Sequence, residues 1–110
     1  MRVTHLSQKK GLLQYMLDKS KVGGYVISAA GHDTGRWYVI IDIESEYVYL
    51  VDGKIRTLDR PKKKKWKHVN LLNAFDSELA MKIKNKKAGN EEIKRAIKQM
   101  QDRNSSKEVE

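Results

Sequence analysis

The chain has 110 residues, of which 39% are hydrophobic and 34% are charged, so it can form one ordinary domain with polar extensions. It contains no cysteine, which excludes a disulfide framework and a cysteine-based zinc site. It has no apolar run as long as a membrane span and no signal-peptide core near its N-terminus. We therefore expect a soluble, cytoplasmic protein with no membrane contact.

The net charge of +9 is distributed unevenly along the chain. Residues 1–21 carry a net charge of +4, residues 22–61 carry −2, residues 62–69 carry +5 and residues 70–110 carry +2. Positive segments therefore flank a slightly acidic centre. This asymmetry favours a polyanionic partner. The alternative is a lysine-rich surface that only solvates the protein.

Residues 1–21 form an N-terminal extension. Within it, residues 8–18 predict one short helix, with Ser7 as its N-cap. Gly11 weakens that helix, so a disordered extension is the alternative. Met16 offers another possible start of the chain, which would make residues 1–15 an upstream extension.

Residues 22–70 are predicted to form a small β domain. Short runs of β-branched and aromatic residues predict strands at residues 25–28, 37–43 and 47–51. In the second strand, side chains are predicted to alternate between an apolar and a polar face. The side chains expected on its apolar face are Trp37, Val39, Ile41 and Ile43.

The end of this β domain is predicted from its turn residues. Asp52-Gly53 predicts a type I′ hairpin turn, because both residues tolerate positive φ. Residues 54–58 would then form the return strand, ended by Pro61, and residues 66–69 would add a last short strand. About five short strands joined by tight turns predict a small barrel, because closure leaves fewer unpaired edges.

Residues 71–103 are predicted to be a helical extension. One helix covers residues 77–83 with Asp76 or Ser77 as its N-cap, and a second helix begins near Asn90. In the second helix an apolar stripe recurs with helical spacing. Its members are Ile93, Ala96, Ile97 and Met100. We expect this stripe to pack on the domain's own core, with docking to a partner as the alternative. Residues 104–110 are expected to be a disordered tail.

A polar loop between the first two strands is bracketed by Gly31 and Gly35. Two glycines four residues apart allow a sharp turn, and without side chains they let a nucleic-acid backbone approach closely. The simpler interpretation is a β-turn loop.

The stretch of residues 24–41 around this loop resembles a KOW motif. Together with residues 49–53 and the lysine run, it resembles the eukaryotic-type ribosomal protein L fourteen group and its small bacterial KOW-domain relatives. The resemblance implies a mainly β, SH3-like barrel followed by two helices, α+β overall, and RNA binding that is often ribosomal. One departure is that Asp33 and Thr34 precede the second glycine, where many KOW loops carry a basic residue. This departure shifts the expected phosphate contact elsewhere.

The lysine segment, residues 62–68, is the expected main contact. Lysines suit phosphate attraction rather than base reading, and neutralising about four to five phosphates gives a log–log salt slope of roughly −3 to −4. Trp66 could stack on an unpaired base or could belong to the core. The predicted RNA-binding residues are Gly31, His32, Gly35, Arg36, Trp37, Lys54, Arg56, Lys62, Lys63, Lys64, Lys65, Trp66, Lys67 and His68.

Catalysis has little support in the sequence. The three histidines, His5, His32 and His68, are far apart and have no metal-ligand spacing, and no nucleophile motif is present. We therefore expect a monomeric, non-catalytic RNA-binding protein without cofactor or metal. It would contact structured RNA through the lysine segment and the KOW loop, with ribosomal RNA and ribosomal proteins as its partners. The alternative is a protein-interaction module that binds a ribosomal protein or, in a NusG-like role, RNA polymerase.

Overall fold

The computed structural model of the protein describes residues 20–109, so the predicted helix at residues 8–18 lies outside the described residues. The strands are β1 (Gly24–Ser28), β2 (Trp37–Glu44), β3 (Tyr47–Val51), β4 (Lys62–Lys65) and β5 (Val69–Phe75). A 3-10 helix (Trp66–His68) separates the last two strands, and the helices α1 (Ser77–Lys84) and α2 (Asn90–Val109) follow. The first three predicted strands and the two helices predicted after residue 70 are confirmed. The fold is α+β.

All five strands belong to one antiparallel sheet in the order β4-β3-β2-β1-β5. β1 lies between β2 and β5, and Val26 pairs with Tyr38 on one side and with Leu71 on the other. In the described part of the chain, β4 pairs with β3 and β5 pairs with β1. The two edge strands, β4 and β5, do not pair with each other. The sheet is therefore open, without the closure expected of a barrel.

The predicted alternation of β2 is wrong, because Tyr38 and Ile40 are buried as well as Val39, while Ile41 is not. The register shifts between Ile40 and Asp42, where a bulge inserts a residue into the strand. Ile41 is consequently only half-buried, whereas Tyr38 and Ile40 are fully packed in the core. A bulge reverses the faces of all later residues in a strand, so a strict period of two cannot describe this strand.

The predicted hairpin at Asp52-Gly53 is also wrong, because residues 54–58 form no strand. The Asp52 carboxylate instead accepts hydrogen bonds from the backbone N–H groups of Lys54 (2.9 Å) and Arg56 (2.8 Å), which closes a wider turn. The strand that returns along β3 is β4, so Pro61 precedes the return strand rather than ending it. Because the Asp52 carboxylate accepts hydrogen bonds from the backbone of its own turn, it stabilises this wider turn in place of a two-residue hairpin.

The short strand predicted at residues 66–69 is a 3-10 helix that leads into β5. Because β5 continues to Phe75, the β region extends beyond the boundary predicted at residue 70. At the other end of the chain, α2 continues through the predicted tail to Val109. The helix therefore includes residues 104–109, for which the sequence predicted a disordered tail.

The core lies between the sheet and the two helices. It contains β1–β3 side chains such as Tyr25 and Val39. Ile93 and Ile97 of α2 are buried in it, and Ala96 and Met100 pack against it, which confirms the predicted apolar stripe. Asp76, one of the two predicted N-caps, caps α1: its side chain accepts hydrogen bonds from the backbone N–H groups of Glu78 and Leu79.

Candidate nucleic-acid interface

The glycine loop, residues 31–35, has the conformation that its glycines allow. Gly31 and Gly35 both have φ of +92°, which L side chains rarely adopt. The Thr34 hydroxyl donates to the Gly31 carbonyl oxygen at 2.7 Å, and the Gly35 N–H donates to the Ser28 carbonyl oxygen at 2.8 Å. The loop is therefore fixed by its own hydrogen bonds, while His32 stays exposed at its tip.

Asp33 points from this loop into the protein and is buried. One carboxylate oxygen accepts from the Ser28 hydroxyl at 2.8 Å, and the other accepts from the Tyr38 hydroxyl at 2.7 Å. The ammonium groups of Lys64 (3.0 Å) and Lys62 (3.2 Å) complete the set of partners. Four donors from β1, β2 and β4 thus converge on one carboxylate.

These contacts shift the pKa values of the Asp33 carboxyl group and the Tyr38 hydroxyl group. Burial alone would raise the pKa of Asp33, but the hydrogen bonds from Tyr38, Lys64, Ser28 and Lys62 outweigh it and hold that pKa well below its usual range. Burial first, and then the hydrogen bond and negative charge of Asp33, raise the pKa of Tyr38 far above its ordinary value. Asp33 therefore remains a carboxylate, and Tyr38 remains a neutral donor.

The four consecutive lysines that we predicted as an RNA contact form β4, and their side chains alternate across it. Lys62 and Lys64 face Asp33, and only 9% of the Lys64 side chain is exposed. The Lys64 ammonium also donates to the Ala30 carbonyl oxygen at 2.7 Å. Lys63 lies on the opposite face, with its ammonium 4.4 Å from the centre of the Tyr47 ring. Two of the four strand lysines are thus paired with a buried carboxylate, and a third lies over a tyrosine ring.

The residues after β4 offer less to a nucleic acid than the sequence indicated. Trp66 packs against the core, and its indole nitrogen is buried without a hydrogen-bond partner among the described residues. His68 is half-buried, and its carbonyl oxygen accepts from the Ala29 N–H at 2.8 Å. Lys67 between them is exposed. The packing of Trp66 favours the core role over base stacking.

A second basic surface lies between the glycine loop, the Asp52 turn and α2. We call it the α2 groove, and its volume is about 530 Å³. It is lined by Gly35, Arg36, Trp37, Asp52, Lys54, Ile55, Lys94, Ile97, Lys98 and Gln101. A neighbouring depression shares Lys54, Lys94 and Lys98 with it, so the basic surface continues along the helix.

The acids at this groove are few and already engaged. Asp52 bonds to the backbone of its own turn, as described above. Lys94 pairs with Glu91 at 3.3 Å and Lys98 pairs with Asp102 at 3.6 Å, both one helical turn apart and exposed. Exposed pairs of this kind contribute only about 0.3–0.5 kcal/mol each, so a phosphate can compete for the lysines.

The N-terminus of α2 is held against the Asp52 turn, and this contact brings the groove walls together. Gly53 has φ of +79°, and a Cβ at this position would overlap the carbonyl oxygen of Asn90. The Asn90 side-chain oxygen in turn accepts from the Leu58 N–H at 2.8 Å. The glycine that we assigned to a hairpin therefore allows a close helix contact, and Lys94 of that helix lines the same groove as Arg36.

The structure divides the predicted site residues into two groups. Gly35, Arg36, Trp37 and Lys54 meet in the α2 groove. The others lie outside it: Gly31, His32, Arg56, Lys62, Lys63, Lys64, Lys65, Trp66, Lys67 and His68. Lys94, Lys98 and Ile55 were not predicted as site residues. Lys94 and Lys98 could have been nominated from the sequence, because they stand four residues apart on one helix beside its apolar stripe.

Within residues 20–109 no group of three or more histidine or acidic side chains has the arrangement of a metal site. No helix in that range is long and apolar enough to span a bilayer. No protein-family model matches this chain, and no curated protein matches it. The chemistry of the groove therefore carries the functional conclusion.

Proposed function

We propose that this chain is a non-catalytic RNA-binding protein whose main contact is the α2 groove. The observation that carries the proposal is the convergence of four cations, since Arg36, Lys54, Lys94 and Lys98 line one groove although they come from three separate parts of the chain. Asp52, the acid among the lining residues, is bound to its own turn. A groove with this charge is suited to a phosphate backbone.

The lysine segment has a smaller role in this proposal than in the sequence-based prediction. Lys63 and Lys67 are exposed and can still reach phosphates, whereas Lys62 and Lys64 would have to leave Asp33 to do so. The glycine loop contributes through Arg36 and the open backbone at Gly35, where an added Cβ would meet no atom within 4 Å.

We further propose that the fold is of the SH3-like KOW type, with its five-stranded sheet left open between the edge strands β4 and β5. Its support is the meander of four strands with the fifth strand beside the first, together with the two left-handed glycines of the loop. In this proposal the protein is a cytoplasmic monomer, and its ligand is ribosomal RNA, with ribosomal proteins as neighbours.

Salt-dependent binding to labelled ribosomal RNA fragments tests the proposal. Four phosphate contacts predict a log–log slope near −3, and changing Lys94→Gln together with Lys98→Gln should make that slope shallower by about 1.4. The matched control is Lys84→Gln with Lys87→Gln, which removes the same charge from two exposed positions, the last residue of α1 and the loop after it. Equal losses in both double variants, or binding that does not depend on salt, would contradict the proposal.

A protein-interaction module is a second candidate, because the edge strand β5 carries no charged side chain. Leu71 and Phe75 on it are exposed, and a groove of about 690 Å³ beside it is also lined by Leu72 and Met100. An uncharged edge can pair with an extended segment of another protein. Leu71→Lys with Phe75→Lys should abolish capture of a purified ribosomal protein or RNA polymerase if this candidate is correct, and should leave RNA affinity unchanged.

A further inference from the structure

An apolar side chain is exposed at the rim of the basic groove. Ile55 is 58% exposed and stands at the tip of the Asp52 turn, between Lys54 and Arg56. Phosphate binding in the groove uses Lys54 but gives Ile55 nothing to contact. Covering such a side chain with an apolar surface removes it from water, which is favourable.

Trp37 supplies a second apolar surface in the same groove. It is half-buried, so part of its side chain packs on the core while part remains accessible, and it lines the groove together with Ile55. Gly35 beside it presents backbone alone, which leaves room for a flat group to approach the ring. The groove thus combines cations with two apolar surfaces.

We infer that the α2 groove takes unpaired nucleotides, and so prefers single-stranded RNA to a duplex. This inference rests on the proposed function. Phosphates contact the lysines and Arg36, while a base lies against Ile55 and Trp37. In an A-form duplex the base faces are stacked inside the helix, so only unpaired nucleotides offer them to side chains.

The test compares an unstructured RNA of about 12 nucleotides with a duplex of the same length, using fluorescence anisotropy. Ile55→Ser should weaken single-strand binding about fivefold and change duplex binding less than twofold, because only the unpaired bases contact this side chain. Met81→Ser is the matched control, since Met81 is 65% exposed on α1 and does not line the groove. It should change neither affinity. The fold should tolerate both changes, because neither side chain is buried.

The outcomes separate this inference from the proposed function. Equal loss for both RNAs in Ile55→Ser, or no loss for either, would overturn the preference for unpaired bases. If Lys94→Gln with Lys98→Gln still weakened binding in that case, the groove would remain the RNA site. If neither RNA bound in a salt-dependent way, the proposed function and this inference would both be wrong.

Discussion

The lysine strand β4 and the α2 groove are both basic, but their charges are available to different degrees. In β4, Lys62 and Lys64 are paired with a buried carboxylate, and the strand is fixed on Asp33. In the groove, Lys94 and Lys98 have only exposed acids one helical turn away. The lysine strand β4 therefore has the denser charge in the sequence, but its charges are less available to a ligand in the fold. Local charge density alone does not identify the binding surface.

This difference also explains why β4 exists as a strand. Lysine is depleted in strands, and four in succession have no local preference for an extended edge. Pairing with β3 and the two bonds to Asp33 supply the stabilisation that propensity lacks. Lysines at an edge also discourage pairing with another chain, which gives β4 a structural role that does not require RNA.

The largest expected effect comes from Asp33→Asn, which removes the carboxylate that neutralises β4. Two ammonium groups would lose their counter-charge, and one of them is almost fully buried. We expect the free energy of unfolding to fall by about 3 kcal/mol, the low end for a broken buried pair because Lys62 is still 26% exposed. Urea denaturation measures this change, with the exposed Glu46→Gln as control. A loss no larger than that of the control would contradict the account of β4.

Acid denaturation gives an independent readout of the same substitution. The pKa of Asp33 is lower in the folded protein than in the unfolded chain. Its contribution to stability is therefore fully present above about pH 4, the ordinary range for aspartate, and is lost as the pH falls below that value. Asp33→Asn should flatten the loss of stability between about pH 4 and pH 2. An unchanged acid limb would show that Asp33 is not held as a carboxylate by these partners.

A smaller effect is expected from Gly53→Ala, which tests how the groove is assembled. The new Cβ would overlap Asn90 and would also require an unfavourable left-handed φ. We expect the free energy of unfolding to fall by about 2 kcal/mol and RNA affinity to fall with it, because the N-terminus of α2 must move. Gly89→Ala is the control, since a Cβ there meets nothing within 4 Å. Equal stability of the two variants would argue against a close contact at Gly53.

The sequence predicted those parts of the fold that local pattern determines. β-branched runs located β1, β2 and β3, and the helical spacing of Ile93 and Ile97 located the buried face of α2. It missed β4, whose stability comes from distant partners, and the bulge after Ile40, which depends on pairing.

The site was predicted only in part for the same reason. Arg36, Trp37 and Lys54 could be nominated from the sequence, because the polar loop and the strand ends were expected to lie near the lysine segment. Lys94 and Lys98 join them only because α2 packs against Gly53, which lies far earlier in the chain. Likewise, nothing local to the lysine run indicates that Asp33 neutralises half of it.

The salt dependence of RNA binding in two double variants tests the central claim most directly. Lys62→Gln with Lys64→Gln and Lys94→Gln with Lys98→Gln remove the same charge, and both are measured under conditions where circular dichroism shows them folded. We predict that the groove variant makes the log–log slope shallower by about 1.4, while the strand variant changes it by less than about 0.5, since its lysines are paired with Asp33. A loss of slope in the strand variant equal to or greater than that in the groove variant would contradict the account.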